Sequence, residues 1–210
     1  MKRFGQTRLA ALALLLALAA PLDLLSTTSA ARAEGAAPTN ATKPAVGPAS
    51  KGRIGFVGNN IFGRADGEFR VWRVVEHAID LASPSASRVV VEVDVASLDT
   101  QNESRDEHLR TVDFFDVEKF PVATVRGHSA RPLATATTGN PRYAVTFDVS
   151  LHGVQKTVEG EVEVVETSPV VVEGGFQLRR TDFGIGSAPS RWNPASIDDE
   201  VPVRFRIAFE

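Results

Sequence analysis

Beyond residue 50, apolar and polar residues alternate nearly one for one, and this period of two limits what the chain can fold into. Val89, Val91, Val93 and Val95 alternate with Val90, Glu92 and Asp94. Tyr143, Val145, Phe147, Val149 and Leu151 alternate with Ala144, Thr146, Asp148, Ser150 and His152. The same holds for Val158, Val162 and Val164, for Val170, Val172, Phe176 and Leu178, and for Val201, Val203, Phe205, Ile207 and Phe209. Successive side chains of a strand point to opposite faces, so each run has one face on a core and one in water. Val93 is thus expected inside and Asp94 outside. Further strands are expected near 53–58, 66–75, 77–82 and 121–128, about eight or nine in all. His152-Gly153 and Gly139-Asn140-Pro141 supply turns. Strands at this spacing build an antiparallel sandwich or an up-and-down barrel.

One segment breaks the period. Residues 102–116, NESRDEHLRTVDFFD, read as a short helix, with Asn102 as N-cap and Glu103 at the positive end. Leu109 and Val112 are expected on one side, with Phe114-Phe115 ending the segment. Set between strands, the helix is placed to cover a barrel mouth. Asp106 and His108 lie two apart and share no helix face. They are expected to fix the helix to the barrel.

The N-terminus follows other rules. Lys2, Arg3 and Arg8 precede an apolar run at 9–20, and a small-residue stretch ends in Ala31-Arg32-Ala33. This pattern predicts a signal peptide over 1–33, with Ser29-Ala30 as a second cleavage site. The run is shorter than the roughly 20 residues of a spanning helix. Residues 34–50, rich in Ala, Pro, Gly and Thr, read as a flexible linker, and 51–210 as one barrel domain. The expected location is periplasmic or secreted, with no integral membrane segment after cleavage. The chain has no cysteine, so its core must hold the fold without disulfides.

Composition and motifs narrow the function. The chain has 23 basic and 26 acidic residues, and the 1–33 segment holds four of the basic ones and a single acid. The acidic remainder is a poor match for nucleic acid. There is no G-x-S-x-G elbow and no glycine-rich phosphate loop, and His77, His108, His128 and His152 lack ligand-like spacing. The reading is of a protein that is not an enzyme, with no cofactor and no metal. The acidic runs at 159–163 and 198–200 read as solvated surface.

Four motifs carry a resemblance. The stretch VDVASLDTQNESRDEHLRTVDFFDVEKFPVATV contains Ser97-Leu98-Asp99-Thr100, Asp106-Glu107-His108-Leu109, Asp113-Phe114-Phe115-Asp116 and Phe120-Pro121. VSLHGVQKTVE and FQLRRTDFGIG follow in order, and IGFVGNNIFGRADGEFRVW precedes them. Together they resemble the YceI-like, polyisoprenoid-binding family over 53–210. The resemblance implies an all-β, antiparallel, lipocalin-like barrel of about eight strands with one short helix near a mouth. It also implies a long apolar pocket for an isoprenoid or other amphiphilic lipid. Two departures stand out. The opening strand looks short, and the loop 186–199, with Trp192, is placed to alter the pocket mouth.

The expected ligand lining is the inward face. It comprises Phe69, then Val91 and Val93, then Val145, Phe147 and Val149, then Val162, then Phe176 and Leu178, and finally Phe205. Gly160 and Gly174 fall on the same face, where missing side chains leave room. A filled core with glycines at bends is the alternative that periodicity favours. Continuing the register of 170–178 carries Arg180 and Asp182 inward. They either tie the strand end to a neighbour, or Arg180 also bonds a headgroup while Asp182 orients it. Other functional readings are a structural or stress-related filled barrel and an enzyme acting on a bound lipid. A homodimer is left open.

Overall fold

A computed structural model describes residues 51–60, 63–134, 137, 139–190, 192 and 196–209. The expected signal peptide (1–33) and linker (34–50) lie outside these residues. The described chain forms ten strand segments and one helix. They are β1 (Gly52–Asn60), β2 (Gly63–Phe69), β3 (Trp72–Ala78), β4 (Arg88–Asp94), β5 (Leu98–Asp99), α1 (Glu103–Arg110), β6 (Val122–Pro132), β7 (Arg142–Leu151), β8 (Val154–Thr167), β9 (Val170–Arg179) and β10 (Glu200–Phe209). All pairings are antiparallel, in the order β3-β4-β6-β7-β8-β9-β10-β1-β2-β5.

The two ends of that order belong to the same two stretches of chain. β2 runs into β3 across Arg70-Val71, and β4 runs into β5 across a 3-10 turn at Val95–Ser97. β3 pairs with β4 and β2 with β5. At the bend, the Arg70 N–H donates to the Ser97 carbonyl (3.1 Å) and the Asp94 N–H to the Val71 carbonyl (2.9 Å). Each pair is thus one long strand bent at a common level, and the sheet closes on itself. Counted this way the barrel has eight strands, a size that side chains can fill or that can hold one ligand. The expected strand at 66–75 splits at this bend. The one expected at 77–82 does not form, because β3 ends at Ala78 and the Asp80 carboxylate accepts the Ala82 and Ser83 N–H groups, both at 2.9 Å. β1 is neither short nor an edge, since it pairs with both β10 and β2.

The inward residues form two adjoining apolar clusters, one around Val91, Val93, Ile207 and Phe209, the other around Phe147, Val149, Phe176 and Phe183. Val93 is buried as expected. Asp94 is buried too, at 8% exposure, against expectation. It stands where the chain leaves the ladder, and its side chain accepts from the Ala96 N–H (3.0 Å) while its carbonyl takes the Ser97 hydroxyl (2.6 Å). Alternation fails there because the polar group has local backbone partners.

The helix forms as read. Asn102 Oδ1 accepts from the Arg105 N–H at 3.0 Å. Buried Asp106 accepts from both the N–H (3.0 Å) and the hydroxyl of Thr100, and Arg110 donates to the carbonyls of Ala96 (2.9 Å) and Leu98 (2.7 Å). These bonds tie α1 to β5. His108 instead packs edge-on against Phe114 at 4.9 Å. Val112 does not share the Leu109 face and is 75% exposed, because the helix has already ended at Arg110.

The outer face carries cross-strand ion pairs. Glu159 meets Arg131, Glu161 meets Arg142, Glu92 meets Arg73, and Arg206 bridges Glu166 and Glu173. The acidic run at 159–163 is therefore a paired surface, not a ligand cluster.

Candidate functional site

The barrel interior holds two cavities set end to end. Along β10, Val201 and Val203 line a wide cavity of about 400 Å³, and Val203, Phe205, Ile207 and Phe209 line a narrow one of about 150 Å³. Val203 belongs to both. β9 gives the same order, with Leu178 on the wide cavity and Phe176 and Val172 on the narrow one. On β7, Tyr143, Val145 and Phe147 face the narrow cavity and Leu151 the wide one. Val149, between them, lines neither. At 2% exposure it sits in the partition.

The partition side of the narrow cavity is aromatic. Phe147 and Phe176 have ring centroids 4.8 Å apart, and Phe205 lies 6.0 and 6.5 Å from them. Gly160 and Gly174 make room for these rings. A Cβ at Gly160 would lie 2.8 Å from the Phe176 Cβ and 3.0 Å from the Phe147 ring, and one at Gly174 would lie 2.9 Å from the Phe205 ring. The space predicted from the glycines is therefore occupied by phenylalanines rather than left open. Polar atoms in the narrow cavity come mainly from its outer rim, where Asp80, Ser87, Arg88 and His128 stand.

The wide cavity lies under α1. Phe56, Phe69, Leu109, Phe114, Phe115 and Phe183 form apolar walls, and Asn59, Arg64, Thr100, Arg105 and Arg180 supply polar groups. Ile185, just before the 186–199 stretch, and Ile197 within it line it as well, and Trp192 of that stretch is 88% exposed.

Of the residues expected to line a ligand pocket, Val91, Val93, Val145, Phe147, Val162, Phe176 and Phe205 line the narrow cavity. Phe69, Leu178 and Arg180 line the wide one. The extrapolated register stops at β9. Residues Arg180–Phe183 form a 3-10 turn, which keeps Arg180 buried (7% exposed) but leaves Asp182 in solvent. Asp182 therefore does not orient the guanidinium. That is done by three carbonyls, with Nε donating to Asp198 (3.0 Å), Nη1 to Ile185 (2.8 Å) and Nη2 to Ile197 (2.7 Å). Burial lowers the Arg180 pKa, and the nearby Asp199 and Asp198 work in the opposite direction. Arg105 was missed. Its position four residues before Leu109 puts both on one helix face, so the helix that covers the mouth could have disclosed it.

Elsewhere, Ser129, His128 and Asp148 form a hydrogen-bonded chain, with His128 Nδ1 2.9 Å from the Ser129 Oγ and Nε2 3.2 Å from Asp148. Thr157 donates to the other Asp148 oxygen at 2.6 Å. The chain lies across β6–β7–β8 at the narrow rim, with 40% of the His128 side chain exposed. Among the described residues no group of three or more His, Cys, Asp or Glu is arranged to hold a metal.

A closed antiparallel barrel with one cap helix and an apolar interior defines the lipocalin-like class. Residues 47–209 match the model of the YceI-like domain, and the chain belongs to that family. A UPF0312 protein of Azotobacter vinelandii is 33% identical over 115 residues, which are 51% of this chain and 57% of that protein. One from Vibrio cholerae is 34% identical over 131 residues, 59% of this chain and 62% of that protein. The match thus spans roughly three fifths of these curated relatives. Among solved structures, Burkholderia cenocepacia BcnA superposes with a TM-score of 0.65 at 22% identity, covering 76% of this chain and 97% of that one. A polyisoprenoid binding domain from Saccharophagus degradans, implicated in plant cell wall breakdown, gives 0.57 at 18%, covering 78% and 95%. These likenesses carry the fold.

Proposed function

We propose that this chain is an exported lipid-binding protein that holds a long-chain isoprenoid or other amphiphilic lipid in its barrel. The observation that carries the reading is the pair of apolar cavities set end to end and meeting at Val203. A chain-like ligand fits such a series better than a compact one. Pockets that bind small molecules are mostly apolar with a few placed polar groups, which is the pattern of the wide end. Family membership and the polyisoprenoid binding domain among the structural neighbours support the same ligand class. The signal-peptide pattern supports export, with a mature chain beginning at Glu34. Intact-mass analysis of the exported protein checks that start.

Native mass spectrometry of protein purified without detergent tests the binding. The expected result is a stoichiometric lipid adduct, identified after extraction. Protein that carries no lipid and displaces no fluorescent fatty or isoprenoid probe would overturn the reading. A hydrolytic role draws its support from the Ser129–His128–Asp148 chain. Carrier function predicts that Ser129→Ala leaves lipid binding intact and that no ester of a bound lipid is turned over.

A further inference from the structure

The two cavities differ in charge as well as size. Among the described residues that line the wide cavity, Arg64, Arg105 and Arg180 are basic and none is acidic. At the narrow rim Asp80 stands with Arg88, so the signs are balanced. Arg64 is neutralised by Asp66 on its own strand, at 2.9 Å. Among the described residues, the other two arginines have no carboxylate within bonding distance.

Arg180 is 7% exposed, and its three bonds all end on neutral backbone carbonyls. Asp199, whose charge acts on Arg180, is engaged by Arg179 (2.9 Å) and by the Thr181 hydroxyl (2.6 Å) and N–H (3.1 Å). Among the described residues the Arg105 side chain bonds only Thr100, through Nε to the hydroxyl (2.7 Å) and through Nη2 to the carbonyl (2.8 Å). Behind it, Asp106 accepts the N–H and hydroxyl of that same Thr100. A guanidinium has five N–H donors. Both arginines therefore keep N–H donors beyond those used in these bonds beside an apolar-walled cavity. Although the charges of Asp199 and Asp198 act on Arg180, neither carboxylate bonds its guanidinium, which leaves both cations able to take an anionic partner.

We propose that the wide cavity seats an anionic headgroup, a carboxylate or a phosphate, held between Arg105 and Arg180, with the lipid chain running past Val203 into the narrow cavity. This rests on the lipid-binding reading above and adds the headgroup class and the direction in which the lipid lies. The aromatic layer then meets the middle of the chain, and the narrow end takes its apolar tail.

Oleate, oleyl phosphate and oleyl alcohol share one chain and differ in the head. Titrated into the delipidated full chain by displacement of a fluorescent probe, the anions should bind at least about tenfold more tightly than the alcohol, the range of a charged hydrogen bond. The better of the two anions separates a fatty-acid-like head from a phosphate. Arg105→Gln, at an exposed position on the cavity side of the helix, should shrink the ratio of anion to alcohol affinity about fivefold, and Arg105→Lys should restore most of it. Arg180→Gln should shrink it further, provided a thermal melt shows that the variant folds. Equal binding of all three probes, or an unchanged ratio in Arg105→Gln, overturns the headgroup assignment while the lipid-binding reading stands. Failure of all three to bind removes the lipid-binding reading and the headgroup with it.

Discussion

The narrow and wide ends of the barrel are built by opposite means. At the narrow end, paired strands run on through register shifts at Val74/Glu76, His128/Arg131 and Val164/Glu166, and valines and phenylalanines fill the inward face. At the wide end the strands give way to a helix, two 3-10 turns and a loop, and polar side chains enter the interior. Regular ladders satisfy the backbone by themselves, so their inward side chains can all be apolar. Irregular backbone leaves carbonyls and N–H groups that must find side-chain partners. Arg180, Arg110, Asp106 and Asp94 are those partners. The chemistry that makes the wide end a recognition site follows from the end of the sheet.

That contrast fails first if a charge is tolerated at the narrow end. Val93, 4% exposed and on the narrow lining, lies in an apolar cluster and pairs with Trp72. Val93→Asp should cost at least about 3 kcal/mol, because an unpaired buried carboxylate is strongly disfavoured. Equilibrium denaturation measures it. A loss under about 1 kcal/mol would show that water already reaches this face.

At the wide end, removing a charge is expected to hurt. Arg180→Met keeps much of the side-chain volume but abandons three carbonyls. The ligand-free protein should lose about 2–3 kcal/mol, the range for stranding buried polar groups. Exposed Arg179→Met should lose under about 0.5 kcal/mol, as surface changes do. Hydrogen exchange should rise around 185 and 197–198 and stay unchanged in β6 and β7. A uniform rise would mean that the two ends do not behave separately.

The sequence discloses the two ends unequally for the same reason. Period two located the strands that build the narrow cavity, and seven of the expected residues line it, because alternation reports the sheet face directly. It could not show that Val149 falls in the partition or that the rings of Phe147 and Phe205 lie over Gly160 and Gly174, which depend on pairing between strands. At the wide end, extending the period beyond Leu178 misplaced Asp182, and extending it to Asp94 put a buried cap in solvent. Helix capping by Asn102 was legible because it is a local rule. The Arg105 contribution needed helix and barrel together.

Asp94 gives a smaller test of the boundary. Asp94→Asn retains an acceptor for the Ala96 N–H but adds donors inside a tight turn. A loss of about 1 kcal/mol, typical of a damaged cap, is expected in denaturant titration. A loss under about 0.3 kcal/mol would put Asp94 among ordinary surface residues.

The smallest expected effect is on acid stability, and it bears on the same boundary. Burial pushes the Asp199 carboxyl up. The Thr181 hydroxyl and N–H, followed by Arg179, outweigh this and hold it below the usual carboxylate range. At the other end Asp148 is also lowered, first by the Thr157 hydroxyl, against burial and with help from His128. A carboxyl with a depressed folded pKa binds fewer protons in the folded state than in the unfolded one. Its contribution is fully present above the unfolded pKa of about 4, and fades as pH falls through the folded value. Stability should therefore drop as pH is lowered from 5 toward 2. Asp199→Asn should flatten that limb by under about 1 kcal/mol, since its Arg179 partner is largely in solvent. Because Asp199 holds Thr181, next to Arg180, the protection factors of the Arg180–Phe183 turn, taken against the intrinsic exchange rate at each pH, should lose their acid-dependent fall in this variant, while Asp148→Asn should leave that turn untouched. An identical response of the turn to both substitutions would mean that the acid limb reports the barrel as a whole, and the wide end would no longer stand apart from the narrow one.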